Sequence, residues 1–134
     1  MEKLVLDAYP LVVYLKRQPG WEQVRDILKD AARGAEVLSL SLINWGEVIY
    51  SAIQDNGRDA GIIVEQVVER LPISIISPDK EMTRTAAEFK AMGGISYADC
   101  FAAALAVHEN ATLVTGDREF KRLEKKGIIK VLWI

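Results

Sequence analysis

ISYADCFAAALAVHENATLVTGDREF, residues Ile95–Phe120, puts a small-residue helix directly before a short apolar strand. Ser96 followed three residues later by Asp99 is a capping-box-like start, and Ala98–His108 contains neither Gly nor Pro, which predicts a helix running to about Asn110. Thr112–Thr115 then reads as a buried strand. With only Ala111 between them, the strand must run back antiparallel to the helix. The helix descends roughly 16 Å at 1.5 Å per residue, and the chain from Thr112 to Asp117 climbs roughly 16 Å at 3.3 Å per residue. Asp99 and Asp117 are therefore expected level with one another at one edge of a sheet, either as unrelated helix caps or as parts of one site.

The rest of the chain repeats this alternation. Lys3–Leu6 is an apolar run ending in Asp7, and Ala8-Tyr9-Pro10 opens a helix with proline in its first turn. Trp21, Val24, Ile27, Leu28 and Ala31 recur at helical spacing between the Pro19-Gly20 break and Gly34. Glu36–Leu40 is a second strand, and Ser41 caps a helix carrying Asn44 and Glu47 three apart on one face. Asp55-Asn56-Gly57 ends that helix, and another is predicted over Arg58–Arg70. Ile73–Ile76 is an apolar third strand after Leu71-Pro72. A helix starting at Ser77-Pro78-Asp79 stops at Gly93-Gly94, a basic helix is expected over Arg118–Lys126, and a last strand over Ile128–Trp133. Short, nearly all-apolar strands alternating with helices predict an α/β fold, a three-layer sandwich with a mostly parallel five-stranded sheet. In such sheets ligands bind outside the carboxyl ends of the strands, where strand order reverses.

Composition narrows the function classes. The 134 residues, half of them hydrophobic, suffice for one core, so residues 1–134 are read as a single domain. A lone cysteine, Cys100, allows no internal disulfide and no thiolate metal framework. With no signal-like start and no apolar stretch of membrane-spanning length, the expectation is a cytoplasmic protein with no membrane partner. Seventeen Lys and Arg against nineteen Asp and Glu give no global attraction to nucleic acid, so such binding has to be local.

Asp7 follows the first strand, Asp117 follows the fourth, Asp99 begins the helix leading into the fourth, and Glu47 lies roughly 8 Å of helical rise from the same edge. Each has a plain alternative: Asp7 as a turn residue, Asp99 as the acid of a capping box, Asp117 as an N-cap, Glu47 as part of a solvated helix face. Four carboxylates gathered at one edge repel one another unless a cation sits among them. An all-oxygen donor set suits Mg²⁺ or Mn²⁺, and metal-dependent hydrolysis of a phosphodiester is the chemistry such a site performs.

Leu4–Tyr9 (LVLDAY), Ile43–Val48 (INWGEV), Ser96–Ala104 (SYADCFAAA) and Thr112–Phe120 (TLVTGDREF) together resemble the motifs of the PIN-domain ribonucleases, in the family's order and across the whole chain. The resemblance is closest to the virulence-associated protein C (VapC) toxins of toxin-antitoxin pairs. It implies an endoribonuclease in which Asp7, Glu47, Asp99 and Asp117 are the catalytic and Mg²⁺- or Mn²⁺-binding residues, an RNA substrate, a cognate antitoxin partner and a homodimer. Many relatives carry Ser, Thr or Asn two residues after the first aspartate, where this chain has Tyr9. Thr115 or Ser96 is expected to supply that hydroxyl, with Asn44 as a polar neighbour of Glu47. Some relatives add an Asp just after the one matching Asp117, where this chain has Glu119.

Arg118, Lys121, Arg122, Lys125 and Lys126 crowd nine residues beside Asp117, and Arg118 and Lys121 are the candidates for tracking RNA phosphates. His108 lies too far along its helix to act with Asp99, Cys100 is expected to pack inward, and Trp21, Trp45 and Trp133 read as core or interface. Two alternatives to the nuclease remain: a PIN-like RNA- or protein-binding module without catalysis, and a receiver-like signalling domain, for which Asp79 after the third strand is the nearest phosphoacceptor.

Overall fold

The computed structural model describes residues 1–134. In chain order the elements are β1 (Glu2–Leu6), α1 (Ala8–Leu15), α2 (Trp21–Ala32), β2 (Glu36–Ser41), α3 (Leu42–Asn56), α4 (Arg58–Glu69), β3 (Ile73–Ile76), α5 (Lys80–Met92), α6 (Tyr97–Glu109), β4 (Thr112–Thr115), a 3₁₀ turn (Arg118–Phe120), α7 (Lys121–Lys125) and β5 (Lys130–Trp133). The five strands form one sheet in the order β3-β2-β1-β4-β5. Every pairing is parallel. The expected "mostly parallel" sheet is thus fully parallel, because a helix intervenes between every pair of consecutive strands.

The central strands β1, β2 and β4 are buried along their carboxyl-terminal residues because both faces are covered there, while the edge strands β3 and β5 stay partly exposed. Leu4 and Leu6 of β1 and Val114 of β4 point into a core shared with Leu11, Val24, Leu28, Val48 and Val68 of α1–α4. Val5 and Leu113 point the other way, onto Phe89 of α5, Phe101–Ala106 of α6 and Phe120. Alternate residues of a strand face opposite sides, so this division into three layers follows from the pleat. α6 is buried from Asp99 to Ala106. Its run of alanines lets it pack closely against its neighbours on several sides, as an all-round apolar helix must.

Strand order reverses between β1 and β4: from β1 the chain goes outward through β2 and β3, then returns to lay β4 on the other side. Leu6 pairs with Val114, which places the ends of β1 and β4 side by side. The edge carrying Asp7 and Asp117 is therefore the switch point where parallel sheets bind ligands.

The 118–126 segment departs from the expected helix. It is a 3₁₀ turn followed by five residues of α-helix, because Asp117 Oδ1 accepts from Glu119 N two residues on at 3.0 Å and tightens the first turn. The last strand begins at Lys130 rather than Ile128, since Ile128 N donates back to Leu123 O to close α7. Cys100 is buried as expected, and that burial pushes its thiol up to about 11. Trp45 and Trp133 pack against the two cores. Trp21 instead lies beneath the Arg17 guanidinium, 4.2 Å from the ring centroid, where its indole makes a cation–π contact. His108 is exposed and meets Thr85 Oγ1 at 3.0 Å.

Candidate metal centre

Asp7, Glu47, Asp99 and Asp117 line one cleft of about 300 Å³ at the carboxyl end of the sheet. Four sequence segments supply them, and each arrives by a separate local device.

Asp7 sits at the N-cap of α1, yet its side chain makes no cap hydrogen bond. It is 2% exposed. Oδ2 accepts from Thr115 Oγ1 at 2.8 Å, and the same hydroxyl oxygen accepts from Asp117 N at 3.0 Å. Thr115 thus ties the end of β1 to the end of β4, filling the hydroxyl role left open by Tyr9. Oδ1 of Asp7 is buried without any hydrogen-bond partner. Burial, aided by the charges of Asp117 and Glu47, pushes the Asp7 carboxyl up to about 8.

Asp99 makes one half of the capping box expected at the start of α6. Ser96 Oγ accepts from Asp99 N at 3.2 Å, so the hydroxyl half of the capping box is made. The reciprocal bond from Ser96 N to the Asp99 carboxylate is absent, and the carboxylate turns to Asp117 and Glu119: one oxygen from each of the three lies within 4.8 Å of the others. Burial, then the facing carboxyls of Glu119 and Asp117, push the Asp99 carboxyl up to about 9. Ser96 therefore positions the helix start and does not reach Asp7.

Asp117 caps the 3₁₀ turn, and that bond brings Glu119 to the cluster. Glu119 joins the four predicted carboxylates, and its local signal is an acid two residues after Asp117 in a tight turn rather than in a regular helix. Glu47 is half-buried on α3, and burial, then the nearby Asp117 charge, raises its carboxyl, against the lowering effect of Asn44. Asn44 is fully buried; its Nδ2 donates to Glu47 Oε1 at 2.8 Å and to Ala98 O at 3.1 Å, binding α3 to the start of α6.

The turn into α6 is gripped from both sides. Lys90 Nζ donates to Ile95 O at 2.9 Å, and Arg122 Nη1 donates to Gly93 O at 2.7 Å and Met92 O at 3.3 Å. Arg122 lies so close to Gly94 that a Cβ there would sit 2.7 Å from Nη1. Within the basic segment, then, Arg122 is occupied with backbone carbonyls and Lys121 lies 5.5 Å over the Trp133 ring, while Arg118 stays exposed. Asp79 N-caps α5, accepting from Met82 N at 2.8 Å, away from the cleft.

A cation fits this donor set. None of the chain's ion pairs, Lys16 with Asp55, Arg25 with Asp26 and Arg33 with Asp30, involves a cleft carboxylate. The orphaned Asp7 Oδ1 and the clustered, ionisation-resistant carboxyls are what an all-oxygen divalent site looks like without its charge partner.

The chain belongs to the PIN domain family, whose pattern it matches over residues 4–126. Among solved structures it is similar to VapBC2 of Rickettsia felis, crystallised with a DNA fragment from its promoter, at a TM-score of 0.73 and 19% identity over 97% of both chains. DNA-bound VapBC of Salmonella typhimurium aligns at a TM-score of 0.73 and 18% identity over 98% of both chains. Mycobacterium tuberculosis VapC20, a toxin cleaving the sarcin–ricin loop, aligns at 0.71 and 12% identity over 89% of this chain and 93% of that one. At these identities the likeness is one of fold. A search of curated proteins by sequence finds no match. No helix is long and apolar enough to cross a membrane.

Proposed function

We propose that this PIN domain is a Mg²⁺- or Mn²⁺-dependent endoribonuclease acting as the toxin of a type II toxin-antitoxin pair. The observation that carries this reading is the cleft itself, in which acids from four segments converge with no Lys or Arg of the chain among its lining residues. Asp7, Asp99, Asp117 and Glu119 would hold the cation, with Glu47 on the facing helix. When bound, a divalent ion offsets the charge of a phosphodiester and acidifies water, the two needs of phosphodiester hydrolysis.

The chain's own residues account for the rest. Thr115 fixes Asp7 Oδ2, and Oδ1, which has no partner in the protein, is the oxygen left to take a ligand. Asn44 holds Glu47 Oε1, and the raised affinity of that carboxyl for protons suits Glu47 to accept one from an attacking water at Oε2. Arg118, exposed in the turn after Asp117, and Lys121 beside it would meet flanking phosphates, Lys121 by leaving the Trp133 ring. The similarity to toxin-antitoxin complexes supports an antitoxin partner. Ile53 of α3 and Ile62, Ile63 and Val67 of α4 are exposed apolar side chains and support a second protein surface, such as that of a homodimer.

The test is cleavage of a mixed RNA pool by the purified chain with Mg²⁺ or Mn²⁺, with EDTA, and by Asp99→Asn. Cleavage is expected only by the unaltered chain with metal. Activity that survives EDTA, or that Asp99→Asn retains, would overturn the mechanism.

A further inference from the structure

Two tyrosines share the cleft with the carboxylates. Tyr9 is 42% exposed and Tyr50 is 52% exposed. Tyr50 follows Glu47 by three on α3, so those two share a helix face, whereas Tyr9 follows the N-cap residue Asp7 by two and is placed at the carboxylates by lining the same cleft.

The Tyr9 ring is held in position. A Cβ at Gly116 would lie 2.3 Å from Tyr9 Cε1 and 2.6 Å from Cζ, so the ring fills the space a side chain at 116 would need. Gly116 does not adopt a positive φ. Its backbone does not demand glycine; the close approach of the ring does. The strand-end backbone thus backs the ring where it meets Gly116, while a large part of it stays open to the cleft.

The cleft lining contains no Lys or Arg, so it offers no chain cation to grip a polyanion's phosphates. It offers two aromatic rings, with the polar side chains of Gln18 and Ser51 beside them. Such a surface suits bases, which stack on aromatic rings in a sequence-tolerant way, and it suits them only when they are unpaired, since duplex bases present no free face.

We propose that Tyr9, assisted by Tyr50, is a stacking platform for unpaired nucleobases beside the bond to be cut. The bond that is cut rests on the ribonuclease reading above; the stacking is a binding property that can be measured without cleavage.

The experiment is fluorescence anisotropy, with Ca²⁺ in place of Mg²⁺, of the full chain with three labelled probes. These are an unstructured RNA octamer, the same strand annealed to its complement, and an octamer with tetrahydrofuran abasic positions. The octamer is expected to bind about 10-fold tighter than the other two, and Tyr9→Leu to erase about a 10-fold advantage that Tyr9→Phe and Tyr9→Trp keep. Equal binding of the base-bearing and abasic strands by the unaltered chain overturns the proposal without relying on any variant's folding. So does duplex bound as tightly as single strand, the absence of RNA binding, or full affinity in a Tyr9→Leu chain with an unchanged melting curve. That last result would assign the rings to a protein partner. Base-dependent binding without cleavage in Mg²⁺ or Mn²⁺ would support the platform and defeat the ribonuclease reading; cleavage without base dependence would do the reverse.

Discussion

Asp7→Asn is expected to make the metal-free protein more stable at neutral pH. In the folded chain the Asp7 carboxyl titrates near 8, against 3.8 for the free side chain, chiefly because it is buried. Between those two values the folded chain keeps a proton that the unfolded chain releases, so this group's contribution to stability is complete below pH 3.8 and falls as pH rises towards 8. At about 1.36 kcal/mol per pH unit, the loss by pH 7 amounts to about 4 kcal/mol, and water entering the open cleft reduces it to about 2–4 kcal/mol. Asparagine fills the same volume, can still accept from Thr115, and has no such penalty. For a chain of this length that difference raises Tm by about 7–14 °C.

The assay is thermal unfolding by circular dichroism of both chains at pH 4.5, 6 and 7.5, in EDTA and in Mn²⁺. In EDTA the two curves should nearly coincide at pH 4.5 and separate as pH rises, with Asp7→Asn the more stable. Mn²⁺ at about 100 times its dissociation constant should add about 2.7 kcal/mol to the unaltered chain and less to the variant, closing the gap. The reasoning is refuted if Asp7→Asn gains nothing in EDTA at pH 7.5, if its advantage is as large at pH 4.5, or if Mn²⁺ stabilises both chains equally. A gain in stability from removing an acid would mean that the site holds strain for the sake of binding.

Other perturbations test the parts separately. Arg122→Ala removes the grip on Met92 O and Gly93 O and should cost about 1 kcal/mol in denaturant unfolding; it should also weaken Mn²⁺ binding by calorimetry, with both effects partly restored in Arg122→Lys. Asn44→Ala strips Glu47 Oε1 and Ala98 O of their shared donor, and about 1–3 kcal/mol of stability should go with it, measured by urea titration. Gly116→Ala forces the Tyr9 ring aside, so single-strand affinity should fall more than Tm does. Arg118→Glu and Lys121→Glu should weaken RNA binding and flatten its dependence on salt concentration, by about 0.7 in log–log slope for each phosphate that is no longer neutralised.

What is legible in the sequence divides along a physical line. The strands and the long helices are legible because both-face burial and 3.6-residue spacing leave periodic traces, as in Val24, Ile27 and Leu28 of α2. The level placement of Asp99 and Asp117 is legible because it needs only two rise values and a one-residue turn. The hydroxyl beside Asp7 narrows in sequence to two candidates, and a hydrogen bond between residues 108 positions apart selects Thr115 over Ser96. Glu119 stands out in sequence as a departure from the family pattern but not as a member of the site. The basic run predicts a regular helix from Arg118, whereas the side-chain cap from Asp117 tightens the turn and brings Glu119 round. The grip of Arg122 is hidden for a similar reason: five cations in nine residues look alike in sequence, and only the packing of α7 beside the Gly93-Gly94 turn singles one out. The same logic explains Gly116. Its backbone is ordinary, and its lack of a side chain serves the ring of Tyr9, a residue more than a hundred positions earlier. Periodicity reveals which residues fold together; which of them touch across the switch point depends on strand order, and that is where the chemistry of this cleft is assembled.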